Sequence, residues 1–109
     1  MREGDDILDR DHPARYTLGD AALEREVLGL FIDQIPKTVA TLRGSQDARA
    51  WLLAAHTMKG SARTVGAWKL AKLAGHAECQ SERQDLWQQL AEEIDRAVAD
   101  VRECIALAA

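Results

Sequence analysis

The chain has 109 residues, 47% of them apolar, which suits one small domain with a single core and excludes a disordered tail. A net charge of −4 argues against a general nucleic-acid binder. No apolar run approaches the ~20 residues that cross a bilayer, and Met1 to Asp11 are charged without an apolar stretch of signal-peptide type, so a cytoplasmic protein is expected.

Residues 1–18 have weak periodicity and include His12-Pro13; they read as an N-terminal arm with at most a short helical turn from Tyr16. From residue 19 to 109 the pattern is helical, with no strand-like alternation. The first long helix is predicted to start at Asp20, a good N-cap, with Glu24 in its first turn favoured by the helix dipole. Its apolar stripe is Leu23, Val27, Leu28, Phe31, Ile35, Val39 and Leu42. Pro36 lies within the stripe and should bend the helix without ending it, because the apolar spacing resumes in phase; Gly44 is the expected stop.

The second helix is expected from Ser45 or Asp47 to Gly66, with Trp51, Ala55, Met58, Ala62 and Val65 on its core face. A third runs from Ala67 to about Ser81, burying Leu70, Leu73, Ala74 and Ala77. In the last helix, Asp85 with Gln88 resembles a capping box, and Trp87, Leu90, Ile94, Ala97, Val101 and Cys104 form the stripe. Four amphipathic helices on short loops predict an all-α, antiparallel up-down-up-down four-helix bundle, in which the stripes satisfy one another and a monomer results. Cys79 and Cys104 are too few for a disulfide framework and are expected as free thiols; no His/Cys cluster has zinc-ligand spacing, so no metal is expected.

Charge is unevenly distributed. From Ala48 to Ala77 there is no Asp or Glu, while Arg49, Lys59, Arg63, Lys69 and Lys72 give that segment +5 and leave −9 on the rest. Such a segment suits an acidic partner, although chance clustering on a solvated face reads equally well from charge alone. Within it, His56, Lys59, Gly60 and Arg63 stand at i, i+3, i+4 and i+7, one surface stripe distinct from the core face of the same helix. Gly60 costs a helix interior about 1 kcal/mol against alanine. It either clears space beside the His56 ring for a bulky partner or allows close packing against a neighbouring helix. A neutral imidazole is abundant near pH 7 and nucleophilic, and cations beside it can meet an added phosphoryl charge.

The segment His56-Thr57-Met58-Lys59-Gly60-Ser61-Ala62-Arg63-Thr64-Val65-Gly66 resembles the signature of the histidine phosphotransfer family, His-x-aliphatic-Lys-Gly-small-small-x-x-aliphatic-Gly. His56, Met58, Lys59, Gly60, Ser61, Ala62, Val65 and Gly66 fit, with Met58 in the aliphatic place; Leu70 and Ala71, the Leu18-Gly19-Asp20 lead-in and the Glu24-to-Phe31 helix extend the likeness over roughly residues 17 to 108. The resemblance implies a phosphoryl group carried on His56 Nε2. The group would come from a receiver-domain aspartyl phosphate or a histidine kinase and pass to another receiver aspartate. It implies Lys59 as electrostatic stabiliser, Gly60 as the residue giving access, and Glu78, twenty-two residues after the histidine, as partner of Nδ1.

The implied protein is a phosphocarrier without kinase activity or cofactor, since no Gly-rich ATP lid, P-loop or magnesium-binding carboxylate set is present. Its partners would be receiver domains of response regulators or hybrid histidine kinases, bringing any magnesium in their own acidic pockets, with neither nucleic acid nor membrane involved. A histidine-dependent phosphatase or nuclease would need several converging polar groups. A plain helical adaptor with an incidental surface histidine is the remaining alternative. His12 and His76 lack a following Lys-Gly and are the weaker acceptors.

Overall fold

A computed structural model describes residues 7–9 and 19–108; the expected turn from Tyr16, and His12, lie outside the described residues. Four helices follow one another: α1 Ala21–Arg43, α2 Ala48–Val65, α3 Trp68–Cys79 and α4 Gln84–Ala108. Among the described residues there is no strand. The connections are two to four residues long. Each helix packs on two neighbours, α2 on α1 and α3, and α4 on α3 and α1, so the four close a ring around one core. Short connections between helices packed side by side are what an up-and-down bundle requires.

The helix ends follow from local chemistry. Asp20 caps α1, its carboxylate accepting from the backbone N–H groups of Ala22 and Leu23. Pro36 stands inside α1, and the helix continues through it. Gly44 ends α1 with right-handed φ −82°, so the stop there does not use glycine's left-handed freedom. Asp47, not Ser45, caps α2 by accepting from Ala50 N–H, while the Ser45 hydroxyl donates back to the Thr41 carbonyl. Gly66 ends α2 at φ 77°, the left-handed conformation that glycine adopts without a Cβ penalty. The expected capping box at Asp85 does not form. Helix α4 already begins at Gln84, and both Asp85 oxygens accept from the Arg83 guanidinium two residues earlier. That pairing holds the Asp85 carboxyl below its usual range.

The predicted stripes meet in the core. Phe31, Ile35, Val39 and Leu42 of α1 are buried, as are Trp51, Ala55, Met58, Ala62 and Val65 of α2, Leu70, Ala74 and Ala77 of α3, and Leu90, Ile94, Ala97 and Val101 of α4. Val27, Leu28, Leu73, Trp87 and Cys104 pack partly buried against them. Leu23 departs from the expectation and is exposed. Val27, one turn later, lines one groove with Ser61, Thr64 and Val65 of the last turns of α2, which puts Leu23 at the end of that neighbour. Both cysteines are free thiols.

Two features tie the elements together. The indoles of Trp51 on α2 and Trp87 on α4 stack with centroids 4.5 Å apart and planes 2° from parallel. Their N–H groups donate to the carbonyls of Ala77 (2.7 Å) and Gln80 (3.3 Å), at the C-terminal end of α3 where backbone carbonyls lack helical partners. The second tie is Leu8, which no periodicity announces. It is 3% exposed within the core cluster, and the Asp9 N–H beside it donates to the Gly66 carbonyl at 2.8 Å. Residues 7–9 thus lie across the α2–α3 turn, where Trp68 Nε1 donates to Asp9 Oδ2. Removing a fully buried leucine side chain leaves a cavity, so Leu8→Ala should lower stability to urea by about 2–4 kcal/mol. Leu30→Ala, at a residue 58% exposed, should change it by less than about 0.5 kcal/mol.

Candidate functional site

The core face of α2 decides the orientation of its other residues. With Trp51, Ala55, Met58, Ala62 and Val65 buried, the helical period turns His56, Gly60 and Arg63 to solvent. The His56 side chain is 68% exposed. A Cβ built on Gly60 would meet nothing within 4 Å, so close packing against another helix is not the reason for this glycine. Its effect is an open surface one turn from the imidazole. Arg63, a turn further on, is exposed, and its side chain has no ion pair or hydrogen bond to any described residue.

Helix α3 supplies the other half of the site. Glu78 is in its last turn, beside Ala77, whose carbonyl is held by the Trp51 indole. The two Glu78 oxygens are divided between two residues of α2: Oε2 is 2.6 Å from His56 Nδ1, and Oε1 accepts from Lys59 Nζ at 2.6 Å. The side chains of Lys59 and Glu78 are only 20% and 19% exposed, in contrast to the imidazole they adjoin. Lys59 is thus turned into the α2–α3 seam, whereas the sequence pattern alone put it on the open stripe.

A residue that the sequence reading passed over helps to make room for it. Gly75 of α3 faces the Lys59 stem, and a Cβ there would stand 3.4 Å from Lys59 Cδ, at the edge of close contact. Its signal was available as a further mid-helix glycine, nineteen residues after the histidine. His76 and Trp68 are exposed on α3. Among the described residues no group of three or more His, Cys, Asp or Glu could hold a metal ion, and no helix is long and apolar enough to cross a membrane.

The chemistry of this arrangement follows from its donors. A carboxylate can only accept, so a bond from His56 to Glu78 places the ring proton on Nδ1 and leaves the Nε2 lone pair free. The Lys59 ammonium bonded to Glu78 holds its carboxyl below the usual range, and the His56 bond acts in the same direction against the opposing effect of burial. Glu78 is therefore ionised and directional. The result is an exposed nucleophilic nitrogen with its opposite edge fixed, an open surface beside it, and the exposed Arg63 two turns further along the same helix.

The Hpt domain family model matches residues 26–104, which span all of these side chains. The chain belongs to the Hpt domain family. Hpt domains are helical phosphocarriers, not kinases; they serve histidine phosphotransfer in two-component systems and interact with receiver domains. No curated protein and no solved structure matches the chain.

The depressed Glu78 carboxyl carries a stability consequence with a definite sign. A carboxyl whose folded pKa lies below its ordinary value of 4.5 contributes stability in full above that value, and loses it as pH falls through the folded pKa. The stability gap between the wild type and Glu78→Gln should therefore narrow as pH falls from about 5 towards 3. Urea melts at half-unit pH intervals measure it. A gap that stays constant to pH 3 would show that the carboxylate is not held by its partners.

Proposed function

We propose that the chain is a histidine phosphotransfer protein of a two-component phosphorelay, accepting a phosphoryl group on His56 Nε2 and passing it to a receiver aspartate. The single observation carrying this reading is the Nδ1 bond to Glu78 on a ring otherwise open to solvent. In the accepting step the Nε2 lone pair attacks phosphorus, the bond from phosphorus to the donor aspartate oxygen breaks, and that aspartate leaves as a carboxylate. The ring keeps its Nδ1 proton and gains positive character, which the Glu78 carboxylate stabilises. In the donating step a second receiver's carboxylate attacks the same phosphorus and Nε2 leaves with its electron pair.

Arg63 is assigned to the phosphoryl charge and to the acidic pocket of the receiver, and Gly60 to the receiver's access. Contact area is available on the α1 side of the histidine stripe. Val27, Leu30 and Phe31 of α1 with Ser61, Thr64 and Val65 of α2 line a largely apolar groove of about 320 Å³. The reading includes residues 1–18 as an arm, residues 19–109 as the bundle, and a monomeric cytoplasmic protein without cofactor. Its partners are receivers of response regulators or hybrid kinases.

Two measurements test the reading. Supplied with a phosphorylated receiver, the wild type should take up acid-labile, alkali-stable phosphate, and His56→Gln should take up none while keeping its helicity; full labelling of the variant would remove His56 from the role. At Gly60, alanine meets no neighbour and should raise stability by about 1 kcal/mol. Gly60→Gln, projecting a long side chain beside the ring, should instead slow transfer. Wild-type transfer by Gly60→Gln would detach the glycine from access.

A further inference from the structure

The carboxylate that faces His56 stands on a weak piece of helix. α3 has 12 residues, Glu78 is the last but one, and a helix of that length is marginal by itself. Its C-terminal end also lacks the left-handed stop that closes α2. There Gly66 has φ 77° and the Ala67 N–H donates back to the Ala62 carbonyl at 2.9 Å. After α3, Gln80 has φ −102°, and its single N–H is shared between the carbonyls of His76 and Ala77, each at 3.1 Å. Helix ends closed only in this way fray through their last turn, which here includes Glu78.

Two indoles from the neighbouring helices reach this end. Trp51 Nε1 of α2 donates to the Ala77 carbonyl at 2.7 Å, a buried bond shorter than either that the carbonyls receive from Gln80. Trp87 Nε1 of α4 donates to the Gln80 carbonyl at 3.3 Å. The rings stack 4.5 Å apart and 2° from parallel, so Trp51 cannot swing its N–H away from Ala77 without breaking the stack. Ala77 and Glu78 are consecutive residues. α2 therefore grips α3 at two adjacent points, the main chain of the first through Trp51 and the carboxylate of the second through His56. The main-chain bond decides where the Glu78 Cα stands, and side-chain contacts decide only how the carboxylate turns from there. A displacement of about 1 Å at that Cα would carry the 2.6 Å contact with Nδ1 out of hydrogen-bond range.

We propose that Trp51 is a positioning residue for phosphoryl transfer: its indole N–H, held in direction by the Trp87 ring, pins the last turn of α3 at Ala77 and so keeps Glu78 at the distance from which it meets His56. The proposal rests on the reading of His56 as the phosphoryl site. It gives a fully buried core residue, five positions before the histidine on the same helix, a part in the reaction that its packing alone does not require.

The test removes the donor and keeps the ring. Benzothienylalanine has the shape of tryptophan with sulfur in place of the indole N–H; placed at position 51 of the full chain it preserves the volume and the stack, so the bundle should fold. Amide hydrogen exchange at Glu78 and Cys79 should then rise roughly fivefold, the effect of one lost hydrogen bond, while Ala74 in the middle of α3 keeps its wild-type rate. In the unphosphorylated protein at about pH 8.5, above the ordinary histidine range, two-bond proton–nitrogen correlation on a ¹⁵N-labelled His56 ring reports the tautomer. The wild type should show Nδ1–H, and the isostere at position 51 should shift the ring towards Nε2–H. The same isostere at position 87 is the control: it deletes an indole N–H at equal volume but leaves the Ala77 carbonyl engaged, and the tautomer should stay as in the wild type.

Transfer from a phosphorylated receiver should slow roughly threefold to fivefold with the isostere at position 51. Added to Glu78→Ala, the same isostere should change neither the tautomer nor the rate any further, since a residue that acts only through Glu78 has nothing left to act on. An unchanged His56 tautomer, equal shifts from positions 51 and 87, or an equal further slowing in the Glu78→Ala background would each overturn the proposal and leave Trp51 a packing residue. Exchange rates and nitrogen spectra need no phosphate. Failure of the wild type to become phosphorylated would thus overturn the functional reading of His56 separately from the pin.

Discussion

Burial of one face of α2 is the constraint on which the site depends. Trp51, Ala55, Met58, Ala62 and Val65 enter the core at three- and four-residue intervals, and the helical period then dictates what the remaining directions offer. His56 and Arg63 face water. Lys59, between the two faces, is directed into the seam with α3. The core and the reactive stripe are thus two readings of one helical phase: a one-residue slip of α2 would bury polar groups and carry the imidazole away from Glu78 at the same time.

Small residues bring the second half of the site within reach. Ala54, Ala55 and Ala62 of α2 and Ala71, Ala74 and Ala77 of α3 are buried, as is Ala67 in the turn between the two helices. Helices lined by small side chains approach closely, and a carboxylate on one then meets the side chains of the next without a water between them. Gly75 extends this economy of volume to the stem of Lys59. The turn that bears Glu78 is also held from below, by the indole of Trp51 on the Ala77 carbonyl. Packing, end-capping and the directional carboxylate are consecutive links of one structure.

Much of this was legible in the sequence because it depends on period and spacing. The helices, most of their buried stripes and the outward direction of His56 follow from where apolar residues recur, and the eleven-residue motif carries the family. What was not legible depends on contacts between distant segments. Leu8 belongs to a stretch too short to show a period, yet fills the core. Leu23 has the right phase but lies at the end of α2, and phase carries no information on where a neighbour stops. Asp85 has the spacing of a cap, but Arg83 takes both its oxygens. Lys59 could be placed on a helix face, but its partner comes from nineteen residues away on another helix. Gly60 left two explanations open, and only the empty space around it decides between them.

The stacked indoles of Trp51 and Trp87 have an optical consequence. Two identical chromophores 4.5 Å apart have coupled transitions, and where the in-plane axes of the stacked rings are twisted relative to one another that coupling gives a signed pair of bands in circular dichroism. One ring belongs to α2 and the other to α4, while both donate to carbonyls at the end of α3, so the bands require three helices to be in register. Helix content alone cannot produce them. The molecule therefore contains its own optical gauge of bundle closure, next to the turn that carries Glu78, and it distinguishes a packed bundle from a collapsed helical chain without any added label.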